Sequence, residues 1–225
     1  MALRSLFATA ELNAFDAAYD TSREDLALQT RGAFLRAFPQ NRLRDLTIDT
    51  YGIGLRSPTF CDYVEVKTRS WAIIQGATAF KFGIYFGRTK SDPKQTYRFT
   101  DKFGTNKEEA FAAIKSALFD LVREGSKADT HFSAIDDNPL SQMFKAKILS
   151  LYFPDRFLNV CSAEHLELLG SELGLPDNLL LSEYQNRLLE AKLDNSTTRA
   201  WSNPKFMHFC TTPTFRNHGK RQTVW

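Results

Sequence analysis

The stretch from Pro58 to Arg88 constrains the fold of this chain most strongly, because its composition and spacing are typical of a β-sheet. Aromatic and β-branched residues are frequent between Phe60 and Ile74, and they fit a pleated, half-buried surface. Later in the stretch, apolar residues occupy every second position, at Phe80, Phe82, Ile84 and Phe86. Successive side chains of a strand point to opposite faces, so this spacing predicts a strand with one apolar face. With turn signals at Gln75-Gly76 and Gly87, the sequence predicts three strands between Phe60 and Phe86.

A fourth strand and then a helix are predicted after this stretch. The candidate strand runs from Gln95 to Phe99. Thr105 and Glu108 have the spacing of a capping box, and apolar residues then recur on one helical face as far as about Glu124. A helix of this kind packs across the apolar face of a sheet. The predicted fold class is therefore α+β, with an antiparallel β-meander packed on a helix and a mainly helical portion after it.

The polar segment from Gly125 to Asn138 is the best candidate for a domain boundary. After it, helices are predicted from Asn138-Pro139, from Ser162, over about Ser182 to Leu193, and from Ser202-Asn203-Pro204. We therefore predict an α+β domain over residues 1–125, a linker over residues 126–138, and a helical portion with a basic C-terminal tail over residues 139–225.

Charged residues are distributed unevenly along the chain, although its formal net charge is only +3. Basic residues outnumber acidic ones between Arg56 and Lys102, and the region from Thr198 to Trp225 contains no acidic residue. Clustered cations suit contacts with phosphate groups. The candidate nucleic-acid-binding residues in the predicted sheet are Tyr63, Lys67, Arg69, Lys81, Tyr85, Arg88, Lys90 and Arg98. The alternative is that these side chains form an ordinary solvated sheet face.

A second hypothesis is a metal-dependent nuclease of the PD-(D/E)xK type. Glu65 and Lys67 are two residues apart and would share one face of a regular strand. The carboxylate would bind Mg²⁺ and the lysine would position the attacking water, with Asp49 or Asp62 as the second acid. An acid and a lysine at this spacing also fit a solvated strand face.

Other catalytic motifs are incomplete. His208, Asn217 and His218 suggest an HNH nuclease, but the segment after His218 is short for the metal-binding helix which that fold needs. The sequence has no P-loop, no GxSxG and no GxGxxG motif. His131 and His165 stand apart from any cysteine pair, so there is no zinc spacing. No cofactor is predicted, apart from Mg²⁺ under the nuclease hypothesis.

The cysteines and the hydropathy pattern bear on location. Cys61, Cys161 and Cys210 are widely spaced without a CxxC motif, which favours a reducing compartment over a disulfide framework. No apolar run reaches membrane-spanning length, and the first residues lack the apolar core of a signal peptide. We therefore expect a cytoplasmic protein without a membrane partner.

One run of the chain resembles part of a known protein family. It extends from Lys147 to Val160, KILSLYFPDRFLNV, and continues in Ser162-Ala-Glu-His-Leu166. Matching pieces are Leu188–Lys192, Trp201–Phe206 and, upstream, Tyr51-Gly-Ile-Gly54, Phe60-Cys61, Glu65 and Lys81–Tyr85. Together they are similar to the region ahead of the motor or nuclease domain in McrB-like AAA+ restriction proteins and predicted HNH restriction endonucleases. The resemblance covers about Leu43 to Phe209 and transfers no catalytic residue.

This resemblance implies a role in restriction or phage defence, as an accessory or DNA-sensing part that acts with a separate motor or nuclease subunit. Three functions stay open at this point. The first is a non-catalytic module that binds modified or unmodified DNA, with an affinity that falls with salt. The second is a small Mg²⁺-dependent nuclease. The third is a protein-interaction subunit that binds no nucleic acid.

Overall fold

The computed structural model describes residues 7–56 and 58–211, which form a mainly helical structure with one small sheet. The helices before the sheet are α1 (Thr9–Ala18), α2 (Ser22–Ala37), α3 (Ile48–Tyr51), α4 (Phe60–Asp62) and α5 (Thr78–Phe82). A 3₁₀ helix lies at Gln40–Asp45 and a π-helical turn at Tyr63–Lys67. The strands are β1 (Ile84–Gly87) and β2 (Thr96–Phe99). The sheet is followed by α6 (Lys107–Ser126), α7 (Phe132–Asp136), α8 (Gln142–Tyr152), α9 (Ala163–Glu172), α10 (Leu181–Asp194), a 3₁₀ helix (Thr198–Ala200) and α11 (Asn203–Cys210).

The sheet is an antiparallel pair of strands that packs on α6. Ile84 lies opposite Phe99, and Gly87 lies opposite Thr96. Gly83, just before β1, has a φ of +76°, and a Cβ atom there would lie 2.7 Å from Ile114 Cδ1 of α6. Only glycine combines this backbone conformation with so close an approach. The fold therefore fits the broad α+β class, with the predicted contact between sheet and following helix.

The first two strands of the predicted meander are wrong. Residues 60–67 form α4 and the π-helical turn, and residues 71–74 are not in a strand. Thr59 caps α4 by accepting a hydrogen bond from the Asp62 N–H at 3.3 Å. At the other end, the Thr68 hydroxyl donates to the Tyr63 carbonyl at 2.9 Å. These local bonds satisfy the helix ends, and burial of the apolar face, including Val64, favours helix over strand in this context.

The alternating run at Phe80–Phe86 also divides between two structures. Phe80 and Phe82 lie in α5, and only Ile84 and Phe86 belong to β1. Phe82 is fully buried, whereas Phe80 is 79% exposed. A strand with one apolar face would have buried both, so the two-residue spacing here does not reflect a single strand.

Most predicted helices are confirmed, with small shifts at their starts. Asn106 caps α6 by accepting from the Glu109 N–H at 2.9 Å, so the helix cap lies one residue later than the predicted Thr105–Glu108 pair. Ser202 caps α11 by accepting from the Lys205 N–H at 3.2 Å, as the sequence predicts. α2 ends at Ala37, directly before Phe38-Pro39.

Buried side chains form two groups. The larger extends along the chain from Ala27 to Cys161, and the smaller joins α1 to α9, α10 and α11 through residues such as Leu12, Leu166 and Leu188. The larger group includes Ile135 of α7, which lies inside the predicted linker at 126–138. Side chains from both sides of that segment pack together, and the division into two domains there stays a prediction.

Two further features concern the described ranges as a whole. Cys61, Cys161 and Cys210 are free thiols, and all three are buried. Among the helices within residues 7–56 and 58–211, none has the length and apolar character needed to cross a membrane.

Candidate nucleic-acid interface

Glu65 and Lys67 do not form the pair that a strand would give. In a helical backbone, residues two apart point to nearly opposite sides, because each residue turns the chain by about 100°. The Glu65 carboxylate instead accepts a hydrogen bond from the Lys81 ammonium group and forms an ion pair with it. Lys67 is exposed. The shared face on which the nuclease hypothesis depends is therefore wrong.

The two candidate acids of that hypothesis lie in different helices. Asp49 in α3 accepts a hydrogen bond from the Tyr97 hydroxyl, and burial together with this carboxylate raises the pKa of Tyr97. Asp62 lies in α4, three residues before Glu65. Within residues 7–56 and 58–211, no group of three or more His, Cys, Asp or Glu side chains could hold a metal ion.

The predicted basic surface is dispersed in the structure. The Lys81 side chain is only 4% exposed, so its expected place on an open surface is wrong; the ammonium group is taken up by Glu65. Arg98 ties down the connection between β1 and β2, since its guanidinium donates to Gly87 O at 3.1 Å and to the Asp92 carboxylate at 2.7 Å.

The remaining predicted residues lie in different places. Tyr63 packs edge-on against the Phe38 ring, with 5.4 Å between ring centroids, and Tyr85 is half-buried opposite Arg98 in the sheet. The exposed members of the predicted set are Lys67, Arg69, Arg88 and Lys90.

A cleft of about 720 Å³ lies among the described residues. We call it the α2/α11 cleft, because residues of both helices line it. Residues of the segments 69–75 and 159–162 and of the start of α9 complete the lining. Its polar lining includes Tyr19, Arg23, Arg69, Asn159, His165 and His208. Of the predicted binding residues, only Arg69 is in this cleft.

The outer part of the cleft is basic. Arg23 and Arg69 both line it and are exposed. Among the described lining residues, Glu164 is the only carboxylate. Burial, and then the positive charge of Arg23, lower the pKa of His208, so this imidazole is neutral at pH 7. The two guanidinium groups therefore dominate the charge at neutral pH.

The inner part of the cleft contains a buried amide with a free acceptor. Asn159 is 1% exposed, and its Nδ2 donates to the Trp71 carbonyl at 2.6 Å. Its Oδ1 has no hydrogen-bond partner in the part of the chain that the structure describes. The same holds for the Tyr19 hydroxyl, and burial raises the pKa of Tyr19 to about 12. Buried polar atoms are normally paired, so these two are exceptional.

A buried lysine holds one of the segments that line the cleft. Lys147 of α8 is 0% exposed, and its Nζ donates to the Ala72 carbonyl at 2.6 Å. Burial lowers its pKa from 10.5 to about 8. The Trp71 indole N–H donates to the Ser150 hydroxyl at 3.1 Å, also on α8. The segment that carries Arg69 into the cleft is thereby fixed to the core.

Gln185 of α10 fixes the segment that carries Asn159. Its Nε2 lies 2.7 Å from the Leu158 carbonyl and 3.0 Å from the Val160 carbonyl, on either side of Asn159. A third carbonyl, that of Ala146 in α8, is 3.2 Å away. This side chain is 1% exposed, so its bonds form without competition from water.

Sequence reasoning missed most of this cleft. Asn159 and Lys147 both lie in the run KILSLYFPDRFLNV, where polar residues interrupt an apolar pattern. That interruption is a signal for a buried polar site. Arg23, His165 and His208 have no such signal, since only the packing of α2, α9 and α11 brings them together. Of the HNH candidates, Asn217 and His218 lie outside the described residues, as do the basic residues of the C-terminal tail.

Comparison with known proteins adds no assignment. No family model, curated protein or solved structure matches this chain.

Proposed function

We propose that this chain is a DNA-binding or DNA-sensing module of a restriction or phage-defence system, and that it is non-catalytic on its own. The proposal includes a cytoplasmic location and a separate motor or nuclease subunit as a partner. The observation that carries it is the α2/α11 cleft, which is lined by two exposed arginines and by Asn159, whose buried amide oxygen has no partner among the described residues.

The electrostatics of the cleft support binding of a polyanion. Arg23 and Arg69 come from segments far apart in sequence, yet they line one cavity with a single carboxylate among its described lining residues. Guanidinium groups bind phosphate in a bidentate geometry and stay charged at every physiological pH. Each phosphate neutralised on DNA releases counterions, which makes the affinity depend on salt.

The apolar part of the cleft supports contact with bases or sugars. Leu26 and Ile73 line the cavity while 51% and 54% exposed, respectively. Large apolar side chains this exposed lose contact with water when a partner covers them. Apolar side chains and two arginines that line one cavity would contact the bases and the phosphates, respectively, of a single or unstacked strand.

The metal-dependent alternative receives no comparable support. It needs Glu65 and Lys67 on one face beside an aspartate, but Glu65 is paired with Lys81, and the helical backbone turns Lys67 to the other side. For this reason cleavage is not part of the proposed function. The experiment below nevertheless includes an Mg²⁺ arm, because cleavage there would favour the nuclease.

The test compares two double variants that remove the same charge. Arg23→Gln with Arg69→Gln removes the cations of the cleft, and Arg88→Gln with Lys90→Gln removes two from the connection between β1 and β2. Fluorescence anisotropy would measure affinity for labelled single-stranded and duplex DNA, modified and unmodified, from 50 to 300 mM salt, with and without Mg²⁺. The first variant should bind more weakly and lower the salt slope by about 1.4 on single strands, the value for two lost phosphate contacts.

The control variant should keep the affinity and slope of the wild type. If the two variants lose affinity equally, the cleft is not the interface, and the dispersed surface of exposed basic residues is favoured instead. If the wild type shows no salt-dependent binding to any DNA, the proposed function is wrong and a protein-interaction subunit is favoured.

A further inference from the structure

The α2/α11 cleft contains two buried polar atoms whose lack of partners points to a ligand. Asn159 and Tyr19 both line it, and Asn159 Oδ1 and Tyr19 Oη are buried without a hydrogen bond within the described ranges of the chain. The Asn159 amide is not misoriented, since its Nδ2 donates to the Trp71 carbonyl at 2.6 Å and leaves Oδ1 as the free acceptor. Leaving such an acceptor unpaired costs free energy, which a bound donor would recover.

These atoms define what the inner part of a ligand must present. Oδ1 accepts only, so the ligand must supply an N–H or O–H group there, whereas the tyrosine hydroxyl can donate or accept. The edge of a nucleobase offers N–H donors next to acceptors. The apolar side chains of Leu26, Ile73 and Met143 also line the cleft and would lose contact with water beneath such a ring.

Volume and charge define the rest of the ligand. A cavity of about 720 Å³ is large enough for one nucleotide. Around it lie the guanidinium groups of Arg23 and Arg69 and the imidazoles of His165 and His208. An internal phosphodiester carries one negative charge, whereas a phosphomonoester carries about −1.5 to −2 at pH 7. A terminal phosphomonoester therefore gains more than an internal phosphodiester from the two arginines that line the cleft.

We propose that the α2/α11 cleft binds the terminal nucleotide of a DNA strand, with the terminal phosphate between Arg23 and Arg69 and the base donating to Asn159 Oδ1. This inference rests on the proposed function, since it specifies which part of DNA enters the same cleft. A strand end needs no extrusion from a duplex, which matches a cavity that holds a single nucleotide.

The test uses single strands of one sequence that differ only at their ends. Linear strands with a 5′-phosphate, with a 3′-phosphate or with hydroxyl ends are compared with a covalently closed circle in anisotropy or competition assays. We expect one of the two phosphorylated strands, with the phosphate at its 5′ or its 3′ end, to bind at least tenfold more tightly than the hydroxyl strand and the circle. Replacing the terminal nucleotide by an abasic phosphate should remove much of that preference.

Variants connect the preference to the cleft. Arg69→Gln should reduce the ratio of affinities for the phosphorylated and the hydroxyl strand towards one, while Arg88→Gln should leave this ratio unchanged. Both side chains are exposed, so neither change is expected to prevent folding. A nucleoside monophosphate is the competitor that separates a strand end from a free nucleotide, and it should compete only at much higher concentration than the strand.

The outcomes separate this inference from the proposed function. Salt-dependent binding of equal strength to circle, hydroxyl strand and phosphorylated strands would overturn end recognition while leaving DNA binding in place. A monophosphate that binds as tightly as the strand would overturn the strand end as the source of the nucleotide. Failure to bind any of these strands would overturn both.

Discussion

Replacing Lys147 by Met should change how the stability of this protein depends on pH. Lys147 is fully buried, and its ammonium group donates to the Ala72 carbonyl at 2.6 Å. Burial lowers its pKa from 10.5 to about 8. Met has a similar length and no charge, so it removes the titration while filling most of the volume.

The sign of the effect follows from proton binding in the two states. Between pH 8 and pH 10.5 the folded side chain is mostly neutral while the unfolded one is mostly protonated, so the unfolded state binds more protons. The free energy of unfolding therefore rises with pH in this window. The difference between the two pKa values corresponds to about 3 kcal/mol. The free energy of unfolding is lower by this amount at neutral pH and recovers it as the pH rises past 10.

The assay is urea unfolding at several pH values, followed by the fluorescence of the buried Trp71 and Trp201. From pH 7 to pH 10 the wild type should gain about 2–3 kcal/mol of unfolding free energy relative to Lys147→Met. At pH 7 the variant loses a hydrogen bond to Ala72, about 1–3 kcal/mol, but no longer buries a charge, so the two proteins should differ little. Lys107→Met, on the exposed surface of α6, controls for the loss of one lysine. Parallel pH profiles for wild type and Lys147→Met would refute the reasoning.

Other substitutions test the packing around the sheet and the cleft. Gly83→Ala should lower the free energy of unfolding in urea by about 2–4 kcal/mol, since it adds a clash with Ile114 to backbone strain. Gly76 has a φ of +113° and nothing within 4 Å of an added Cβ, so Gly76→Ala should lower it by only about 1–2 kcal/mol. Equal losses for the two variants would contradict the packing argument. Gln185→Leu should lose about 2–3 kcal/mol, because buried carbonyl groups lose their donor; a change below 0.5 kcal/mol would contradict this. Arg98→Met should lower the free energy of unfolding by about 1–2 kcal/mol, measured by thermal unfolding, and should leave DNA affinity in the anisotropy assay unchanged. A loss of affinity would place Arg98 at the interface.

The sequence alone predicted the features that depend on neighbouring residues. The apolar stripe of α6 and the Ser202 cap of α11 were both correct, because caps and helical periodicity act within one or two turns. The contact between the sheet and α6 was also correct, since a sheet and the amphipathic helix after it bury their apolar faces together.

Tertiary structure decided between helix and strand in the segment where local signals favour both. Residues 60–67 have the composition of a strand, but the cap at Thr59, the bonds of Thr68 and burial against the core make them helical. Because the segment is helical and not a strand, Glu65 and Lys67 lie on nearly opposite sides of the backbone and do not share one face. The strand prediction also hid the partner that Glu65 has, Lys81, which is distant in sequence.

The candidate site depended still more on tertiary structure. The sequence predicted Arg69 as a binding residue and contained Lys147 and Asn159 in an otherwise apolar run, but it did not show what faces them. Arg23 and His208 reach the same cleft only because α2 and α11 pack beside the segment 159–162. Local rules determine which residues form a helix, whereas the burial of a charge or an amide depends on contacts between distant segments, and only the folded chain decides those.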